Sequence, residues 1–288
     1  MVTLNKGNWL AQHERREHSQ DGEDGILEKI FEILKIGKGW CVDVGAGDGK
    51  KSSNTYNLIQ RHGWSGILIE GDPKRFSNLI KTHAALPEVH CVKQWVGFSS
   101  SDSLDTLLKE HPLPSDFDLI SLDVDGPDIH LWEALQHYKP KVVIIEYNPT
   151  IPNEINFKQP RQLDLHQGNS LLALTLLGKE KGYQLIAITE ANAIFTLDGL
   201  YPLFAIEDNG LDLMRPKASV DSELFQLYDG TLAFHDGQKL VWSGKPNQKD
   251  QLQIYPSFIS VYNAASRLNK TLRKLLKAIY NRIFGRKP

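Results

Sequence analysis

The chain has 288 residues, 41% of them hydrophobic, and is therefore long enough to bury a sizeable core. Its net charge of −2 hides an asymmetry, because residues 265–288 contain eight basic residues and no acidic one. The rest of the chain carries a net charge near −10, which argues against a nucleic-acid substrate held by the main domain.

Residues 1–18 are expected to form a polar, mostly solvated lead-in. No uncharged apolar run approaches the roughly 18 residues of a membrane span, so we expect a cytoplasmic protein. The only two cysteines, Cys41 and Cys91, lie in apolar runs. We expect both to act as small hydrophobic side chains, with no disulfide and no metal site between them.

A helix is predicted from residue 26 onwards, because apolar residues follow at helical spacing. The segment before it, residues 19–24, reads Ser-Gln-Asp-Gly-Glu-Asp. Its acidic side chains suit the positive end of a helix dipole. Two interpretations stay open: the segment only caps the helix, or Gln20 or Glu23 folds over the edge of a cofactor.

The most informative stretch is residues 40–49, Trp-Cys-Val-Asp-Val-Gly-Ala-Gly-Asp-Gly. Alternating apolar residues predict a buried strand, and the glycines after it let a ligand come close to the backbone. Asp43 and Asp48 make this loop a poor phosphate cradle, because a carboxylate repels a pyrophosphate. A cationic or hydroxylated ligand is compatible with both carboxylates.

A second strand is predicted over residues 66–70, after a helix that Ser52 or Ser53 can cap and Gly63 can close. The strand ends in Glu70, about 20 residues beyond the glycines, at the position where doubly wound folds bind the hydroxyls of a ribose. Glu70 is therefore the strongest single prediction for a binding side chain.

The next elements are a helix beginning at Asp72-Pro73 and a third strand over residues 89–92. The loop at residues 94–97 follows this strand at a place where an adenine ring could stack. Trp95 in this loop is equally compatible with the core.

A helix is predicted over residues 103–110, a fourth strand over 117–123 and a fifth over 141–146. Between these two strands lie a dense acidic segment, residues 123–128, and a helix whose His130 and His137 we expect at the surface. The ends of the two strands should lie side by side.

Residues 149–169 lack periodicity and are interpreted as a substrate lid. A helix over 170–181, a sixth strand over 183–188 and a seventh, antiparallel strand over 193–197 follow. Residues 201–264 read as a C-terminal extension of mixed short strands and turns to which no role is assigned.

Three features follow one another in the chain: an Asp-x-Gly-x-Gly-x-Gly loop, an acidic end of strand two and an acidic end of strand four. In this order they resemble the class I S-adenosylmethionine-dependent methyltransferases over residues 19–200. Residues 19–24, Asn54 and the Gly-Trp-Ser-Gly turn at 63–66 are similar to the FkbM-like members, many of which act on hydroxyls of sugars or polyketides. The resemblance implies an α/β, doubly wound, mostly parallel seven-stranded Rossmann-like methyltransferase sheet with C-terminal additions.

By this resemblance, S-adenosylmethionine is the expected cofactor. Its ribose is expected at Glu70 and its adenine at the loop that contains Trp95 and Gly97. The remaining expected cofactor contacts are Asp43, Gly45, Ala46, Gly47, Asp48, Asn54 and Asp123.

Metal-dependent O-methyltransferases place an acid after strand four and an acid plus an amide after strand five, where this chain has Asp123, Glu146 and Asn148. These three are the expected ligands of Mg²⁺ or another divalent cation. Asp125 or His166 is then the expected proton acceptor. The alternative without a metal has Asp123 and Asp125 meet the amino group of the cofactor or a helix N-terminus, and Glu146 act as the base.

Residues 265–288 have leucine and isoleucine at three- and four-residue steps opposite their basic residues, a pattern typical of an amphipathic helix. Residues 266–288 are therefore expected either to bind an anionic membrane surface, such as the inner face of the cell membrane, or to form a packing or homo-oligomer contact.

The leading hypothesis is O-methylation of a hydroxyl of a sugar or glycan, including a lipid-linked polysaccharide precursor. The alternatives are methylation of a small natural-product hydroxyl or amine, and a non-catalytic scaffold at a membrane.

Overall fold

The computed structural model describes residues 5–216, 224–226 and 232–234. It forms two compact units, residues 1–219 and 220–288. Within the second unit the described residues are two antiparallel strands. Most of the predicted extension over 201–264 and the whole predicted helix over 265–288 lie outside the described residues.

The fold alternates strands and helices along the chain. The strands are β1 (Asn5–Lys6), β2 (Trp40–Val44), β3 (Ser65–Ile69), β4 (Val89–Val92), β5 (Leu119–Leu122), β6 (Val142–Glu146), β7 (Tyr183–Ile188), β8 (Asn192–Leu197), β9 (Ile206–Asp208), β10 (Leu224–Gln226) and β11 (Leu232–Phe234). The α-helices are α1 (Glu23–Leu34), α2 (Tyr56–His62), α3 (Pro73–His83), α4 (Leu104–Leu108), α5 (Asp128–Ala134), α6 (Leu171–Glu180) and α7 (Leu211–Met214). Two short 3-10 helices cover Trp9–His13 and Tyr201–Phe204.

Seven of the strands form one sheet in the order β4-β3-β2-β5-β6-β8-β7. All pairs are parallel except the two that involve β8, which runs antiparallel to both β6 and β7. The predicted doubly wound, mostly parallel seven-stranded sheet is confirmed, including its antiparallel strand, which is β8.

Alternate residues of the central strands point to opposite faces of the sheet, and each face carries its own hydrophobic cluster. Val42 and Val44 face the cluster that contains Trp132 of α5, whereas Cys41 faces the cluster that contains Ile30 of α1. Because both faces are covered, the strands read as continuous apolar runs, as parallel strands buried on both sides do.

Local signals set most helix ends. The Asp72 carboxylate accepts hydrogen bonds from the amides of Lys74 and Arg75 at the start of α3, and the Ser170 hydroxyl accepts one from the amide of Ala173 at the start of α6. Gly63 ends α2 at a φ of 65°. The fifth predicted helix, which was expected to contain both His130 and His137, is shorter than expected, because α5 ends at Ala134.

The N-terminal residues pack on the main fold instead of forming a solvated lead-in. Leu10 is fully buried, and the Asn8 side chain exchanges hydrogen bonds of 2.7 and 3.0 Å with the backbone of Ile188. Strand β1 pairs with β9, so residues 5–18 and 206–208 belong to the same unit as the sheet.

Within the described part of the chain, none of the helices combines the length and the apolar character that crossing a bilayer requires.

Candidate functional site

Two cavities lie at the carboxyl ends of the central strands, where the sheet order reverses between β2 and β5. Ligands of open α/β sheets bind at such a switch point. The larger cavity has a volume of about 560 Å³ and the smaller one about 440 Å³. Four residues line both cavities, namely Gly45, Arg75, Asp123 and Asp125. The cavities are therefore neighbours that share one wall.

The glycine loop after β2 turns sharply at Gly45, whose φ is 84°. The amides of Gly45 and Ala46 both donate to the carbonyl oxygen of Ile69, at 3.0 Å each, which ties the loop to the end of β3. A Cβ at Gly45 would collide with the carbonyl oxygen of Asp123. Glycine is thus required here both by the positive φ and by the approach of a second chain segment.

Glu70, at the end of β3, has a carboxylate that is held in place before any ligand binds. One oxygen accepts a hydrogen bond of 2.8 Å from the amide of Gly47, and the other accepts one of 2.7 Å from the amide of Asp72. Glu70 is only 4% exposed but lines the larger cavity. An ionised carboxylate has about four acceptor positions, so two remain for hydroxyls of a ligand.

The larger cavity is an apolar slot beside this carboxylate. Trp95 is 69% exposed and packs against Gly71, so the alternative that Trp95 belongs to the core is wrong. Gly97 lies outside both linings, and its amide donates to the carbonyl of Asp102 at 2.9 Å. Apolar side chains of this cavity are those of Val44, Ile69, Trp95, Val96, Val124, Pro127 and Leu163.

The smaller cavity is lined mainly by polar groups. Asp43 is buried and accepts hydrogen bonds from the hydroxyls of Thr55 at 2.7 Å and Ser53 at 3.4 Å. Burial raises the pKa of Asp43 to about 6, against the effect of these hydrogen bonds. Asp48 accepts from the amides of Lys50 and Lys51, and the bond from Lys51 is the main cause of its lowered pKa.

Asn54 and Gln20, the latter from the N-terminal acidic segment, complete the lining of this cavity. The Asn54 amide donates to the Ser121 hydroxyl at 3.1 Å, so it bridges the loop and β5. Gln20 lines the cavity. The Glu23 carboxylate instead accepts from Thr189 and Asn192 at 2.6 and 2.9 Å, away from both cavities.

The ends of β5 and β6 bring three carboxylates together. One oxygen from each of Asp123, Asp125 and Glu146 lies within 4.8 Å of the others. Burial and the neighbouring carboxylates raise the pKa of Asp123 to about 8 and that of Glu146 to about 11. Asp125 has a φ of 59°, an uncommon backbone conformation for a residue with a side chain. The cluster therefore favours a proton or a cation.

Asn148, predicted as a metal ligand, uses its side chain in hydrogen bonds with the loop that follows β6. Its side-chain oxygen accepts from the amide and the hydroxyl of Thr150 at 2.9 and 2.6 Å, and its amide donates to Gln167. An amide oxygen has two lone pairs, and Thr150 uses both. Asp125 adds a carboxylate oxygen beside Asp123 and Glu146, and the assignment of Asn148 as a ligand stays a prediction.

His166 comes to the cluster from the long loop after β6. Its Nδ1 lies 2.8 Å from the carbonyl oxygen of Asp125. A carbonyl can only accept, so Nδ1 must carry the hydrogen, and in the neutral ring Nε2 is left with a free lone pair. His166 also lines the larger cavity, where this lone pair can accept a proton.

The predicted lid, residues 149–169, is tied to the acidic turn of residues 123–128. Besides the bond of His166, the Asn169 amide donates to the Gly126 carbonyl at 2.7 Å. His130 is 4% exposed and its Nε2 lies 2.8 Å from the carbonyl of Gln159, so its expected surface position is wrong. His137 is exposed, as predicted.

Arg215 holds the first residues of the same loop. Its guanidinium is buried, donates to the carbonyls of Pro149 and Ile151, and lies 5.5 Å from the ring centre of Tyr147. No periodic pattern in the sequence could have revealed these hydrogen bonds, because 64 and 66 residues separate Arg215 from Ile151 and Pro149.

Several lining residues were not predicted. Arg75 faces both cavities, and no local signal marks it, because it reads as an ordinary polar residue in the first turn of α3. The other unpredicted members of the linings are Lys51, Asn78, Ser121, Val124, Pro127 and Leu163.

Neither a protein-family model nor a curated protein matches the sequence. Solved structures resemble parts of the fold. One is CalO1, a methyltransferase in calicheamicin biosynthesis with bound S-adenosylhomocysteine. It has 15% identity over 60% of this chain and 54% of its own, with a TM-score of 0.36. A TehB-like SAM-dependent methyltransferase from Corynebacterium glutamicum has 15% identity over 55% of this chain and 80% of its own, with a TM-score of 0.33. Fibrillarin from Aeropyrum pernix with bound S-adenosylmethionine has 11% identity over 55% of this chain and 65% of its own, with a TM-score of 0.37.

The chain spans 63% and 54% of the length of the first two structures that it matches. Likenesses of this size concern the fold, and the chemistry of the site must be argued from its own residues.

Proposed function

We propose that the protein is an S-adenosylmethionine-dependent O-methyltransferase, similar to the FkbM-like enzymes, that methylates a hydroxyl of a sugar or glycan. The observation that carries the proposal is the Glu70 carboxylate. Each of its oxygens accepts a hydrogen bond from a backbone amide, one of them that of Gly47 in the glycine loop. The carboxylate lies beside the apolar slot of the larger cavity. This arrangement suits the two vicinal hydroxyls of a ribose.

The two cavities suit the two ends of the cofactor. The apolar slot beside Trp95 suits an adenine, whose flat faces gain from contact with aromatic and aliphatic side chains. The smaller, polar cavity, which Asp43 and Gly47 line, suits the amino-acid end. Bound S-adenosylmethionine supplies an electrophilic methyl group, and the protein has to orient an acceptor and take its proton.

The acceptor end is assigned to the carboxylate cluster and His166. A sugar hydroxyl loses its proton only at a pH far above 7, so a group that accepts the proton speeds the transfer. The free Nε2 of His166 and the carboxylate of Asp125 are the candidates for this role, since both line the larger cavity.

A divalent metal also fits the cluster. Asp123, Asp125 and Glu146 offer only carboxylate oxygens, the ligands that Mg²⁺ and Ca²⁺ prefer. Burial and mutual repulsion raise the pKa values of Asp123 and Glu146, and a bound cation would offset both effects. A bound cation would lower the pKa of the acceptor hydroxyl. Calorimetric titration with MgCl₂ should then give binding that Asp123→Asn abolishes. Full activity in EDTA would remove the metal from the proposal.

The cofactor assignment is tested by calorimetric titration with S-adenosylhomocysteine. The native protein should bind it, and Glu70→Ala should weaken binding by about 100-fold or more, because hydrogen bonds to a charged group are lost together with the position of the loop. Glu110→Ala is a suitable control, because Glu110 is exposed and lines neither cavity. A native protein that binds neither this ligand nor S-adenosylmethionine would leave the non-catalytic scaffold as the better description.

The acceptor class is tested by transfer of a labelled methyl group from S-adenosylmethionine. Labelling of sugars or nucleotide sugars is expected. Labelling only of small phenols or amines would favour the alternative of a natural-product methyltransferase. The proposal of a lipid-linked acceptor at a membrane depends on the sequence of residues 266–288 alone, and loss of vesicle co-sedimentation on their deletion tests it.

A further inference from the structure

Arg75 differs from every other arginine among residues 5–216. The side chains of the other five contact a carboxylate, carbonyl oxygens or an aromatic ring. Within the described residues, the Arg75 side chain forms no ion pair and no hydrogen bond, and only its backbone amide is used, by Asp72. An arginine is charged at every physiological pH, so this cation is available to a ligand.

Arg75 lies where a ligand in either cavity could reach its charge. The residue stands in the first turn of α3 and lines both cavities, at the wall they share. Lys51 lines the smaller cavity as a second cation and also lacks an ion pair in the described part of the chain. Asp48 lines the same cavity, yet its carboxylate accepts from the amides of Lys50 and Lys51 and pairs with neither cationic side chain.

The smaller cavity therefore presents charges of both signs to a ligand. Its acidic members are Asp43, Asp48, Asp123 and Asp125, and its basic members are Lys51 and Arg75. A purely anionic ligand would be repelled by the ionised carboxylates, and a purely cationic one would leave Arg75 and Lys51 without a partner. A zwitterion satisfies both sets.

We propose that Arg75, assisted by Lys51, binds the α-carboxylate of the amino-acid end of the cofactor, while the acidic side chains accept its ammonium group. The guanidinium can donate two parallel hydrogen bonds to a carboxylate, which a lysine cannot. The inference rests on the proposed function, since it assumes that S-adenosylmethionine is the ligand.

The test compares two ligands that differ by this end. S-adenosylhomocysteine carries the α-carboxylate and the ammonium, and 5′-methylthioadenosine lacks both. In calorimetric titrations, Arg75→Met should weaken binding of S-adenosylhomocysteine by about 10- to 100-fold and leave that of 5′-methylthioadenosine within about two-fold. Arg75→Lys, which keeps the charge, should recover part of the loss.

Lys74→Met is the matched control. Lys74 is the preceding residue, is exposed, and lines neither cavity, so its loss should change neither affinity. Equal affinities of native protein and Arg75→Met for S-adenosylhomocysteine would overturn the inference, and so would equal losses for the two ligands. If only the KM of an anionic acceptor rises, the arginine belongs to the acceptor site and the inference is wrong. A native protein that binds neither ligand would instead contradict the proposed function.

Discussion

The carboxylates at the ends of β2 and β3 and those at the ends of β5 and β6 form the two halves of the site, and their surroundings differ. At the ends of β2 and β3, Glu70 has a backbone amide on each oxygen and keeps its place without a ligand. At the ends of β5 and β6, Asp123, Asp125 and Glu146 face one another, and burial together with their mutual repulsion raises the pKa of Asp123 and Glu146. One half is thus preorganised, whereas the other is under electrostatic strain until a proton or a cation arrives.

This difference suggests how binding and chemistry are divided. A preorganised site loses little conformational freedom on binding, so it suits a cofactor that every reaction cycle must bind. A cluster with raised pKa values suits proton transfer or cation binding, because its free energy changes steeply with its protonation and occupancy. The following variants separate the two halves.

The largest effect is expected from Gly45→Ala. The new methyl group would collide with the Asp123 carbonyl, and a φ of 84° costs a further 1 to 2 kcal/mol, roughly, for a residue with a Cβ. Affinity for S-adenosylhomocysteine should fall by about 100-fold or more. Gly63→Ala is the control, because Gly63 has a φ of 65°, open space around it and no place in either cavity. An equal loss of affinity in both variants would show that the contact with Asp123 is unimportant.

A second effect concerns stability in the acceptor half. The folded pKa values of Asp123 and Glu146, about 8 and 11, lie above their ordinary values of 3.8 and 4.5. The folded protein thus keeps protons that the unfolded chain has released, and its stability falls as the pH rises from about 4 towards 8. The double variant Asp123→Asn, Glu146→Gln should lose this dependence. In EDTA it should be more stable than the native protein at pH 8 by about 2 kcal/mol, with little difference at pH 4.

Thermal unfolding at the two pH values measures this change. A double variant that is less stable than the native protein at pH 8 would mean that the three carboxylates do not repel one another in the free protein. Gln substitution at the exposed Glu110 serves as a control for the loss of a negative charge.

A smaller effect is expected from Arg215→Met. Loss of the guanidinium frees the carbonyls of Pro149 and Ile151, which hold the first residues of the long loop. The KM for the acceptor should rise by about 10-fold, while the affinity for S-adenosylhomocysteine stays the same. Arg61→Met, at an exposed ion pair with Glu17, should change neither value. A fall in cofactor affinity in Arg215→Met would show that the two halves are coupled.

The smallest effect concerns the support of the glycine loop by α3. The Thr82 hydroxyl donates to the carbonyl of Asp48 at 2.8 Å, and Nε2 of the buried His83 donates to the carbonyl of Gly49 at 3.0 Å. Loss of the second bond in His83→Leu should weaken cofactor binding by about three- to ten-fold. His83→Gln should recover most of it, because an amide can donate the same bond. Equal affinities of all three proteins would rule out this support.

The sequence was sufficient for the elements and for placing the glycine loop and Glu70 at the cavities between β2 and β5. Alternating and continuous apolar runs placed all seven strands of the large sheet, and Asp72, Ser170 and Gly63 marked helix ends correctly. Glu70 was predictable because the residue after a parallel strand lies at the binding edge of the sheet whatever the distant loops do.

The sequence was insufficient for side chains whose hydrogen-bond partners lie in distant segments of the chain. The side-chain oxygen of Asn148 accepts hydrogen bonds from Thr150, and Asp125, predicted as a proton acceptor, lies in one cluster with Asp123 and Glu146. His130 is buried because the long loop folds over it and offers the carbonyl of Gln159. These outcomes depend on how a loop of about 20 residues closes, which no local pattern encodes.

Periodicity and capping are interactions between residues a few positions apart, so the sequence by itself determined the strands, the helix ends, the glycine loop and Glu70. The side chains that complete the site depend on contacts between segments that only the folded chain brings together. Tertiary structure alone therefore decided that Arg75 lines both cavities, that Asp125 lies beside Asp123 and Glu146, and that His166 lines the larger cavity with Nδ1 against the carbonyl of Asp125.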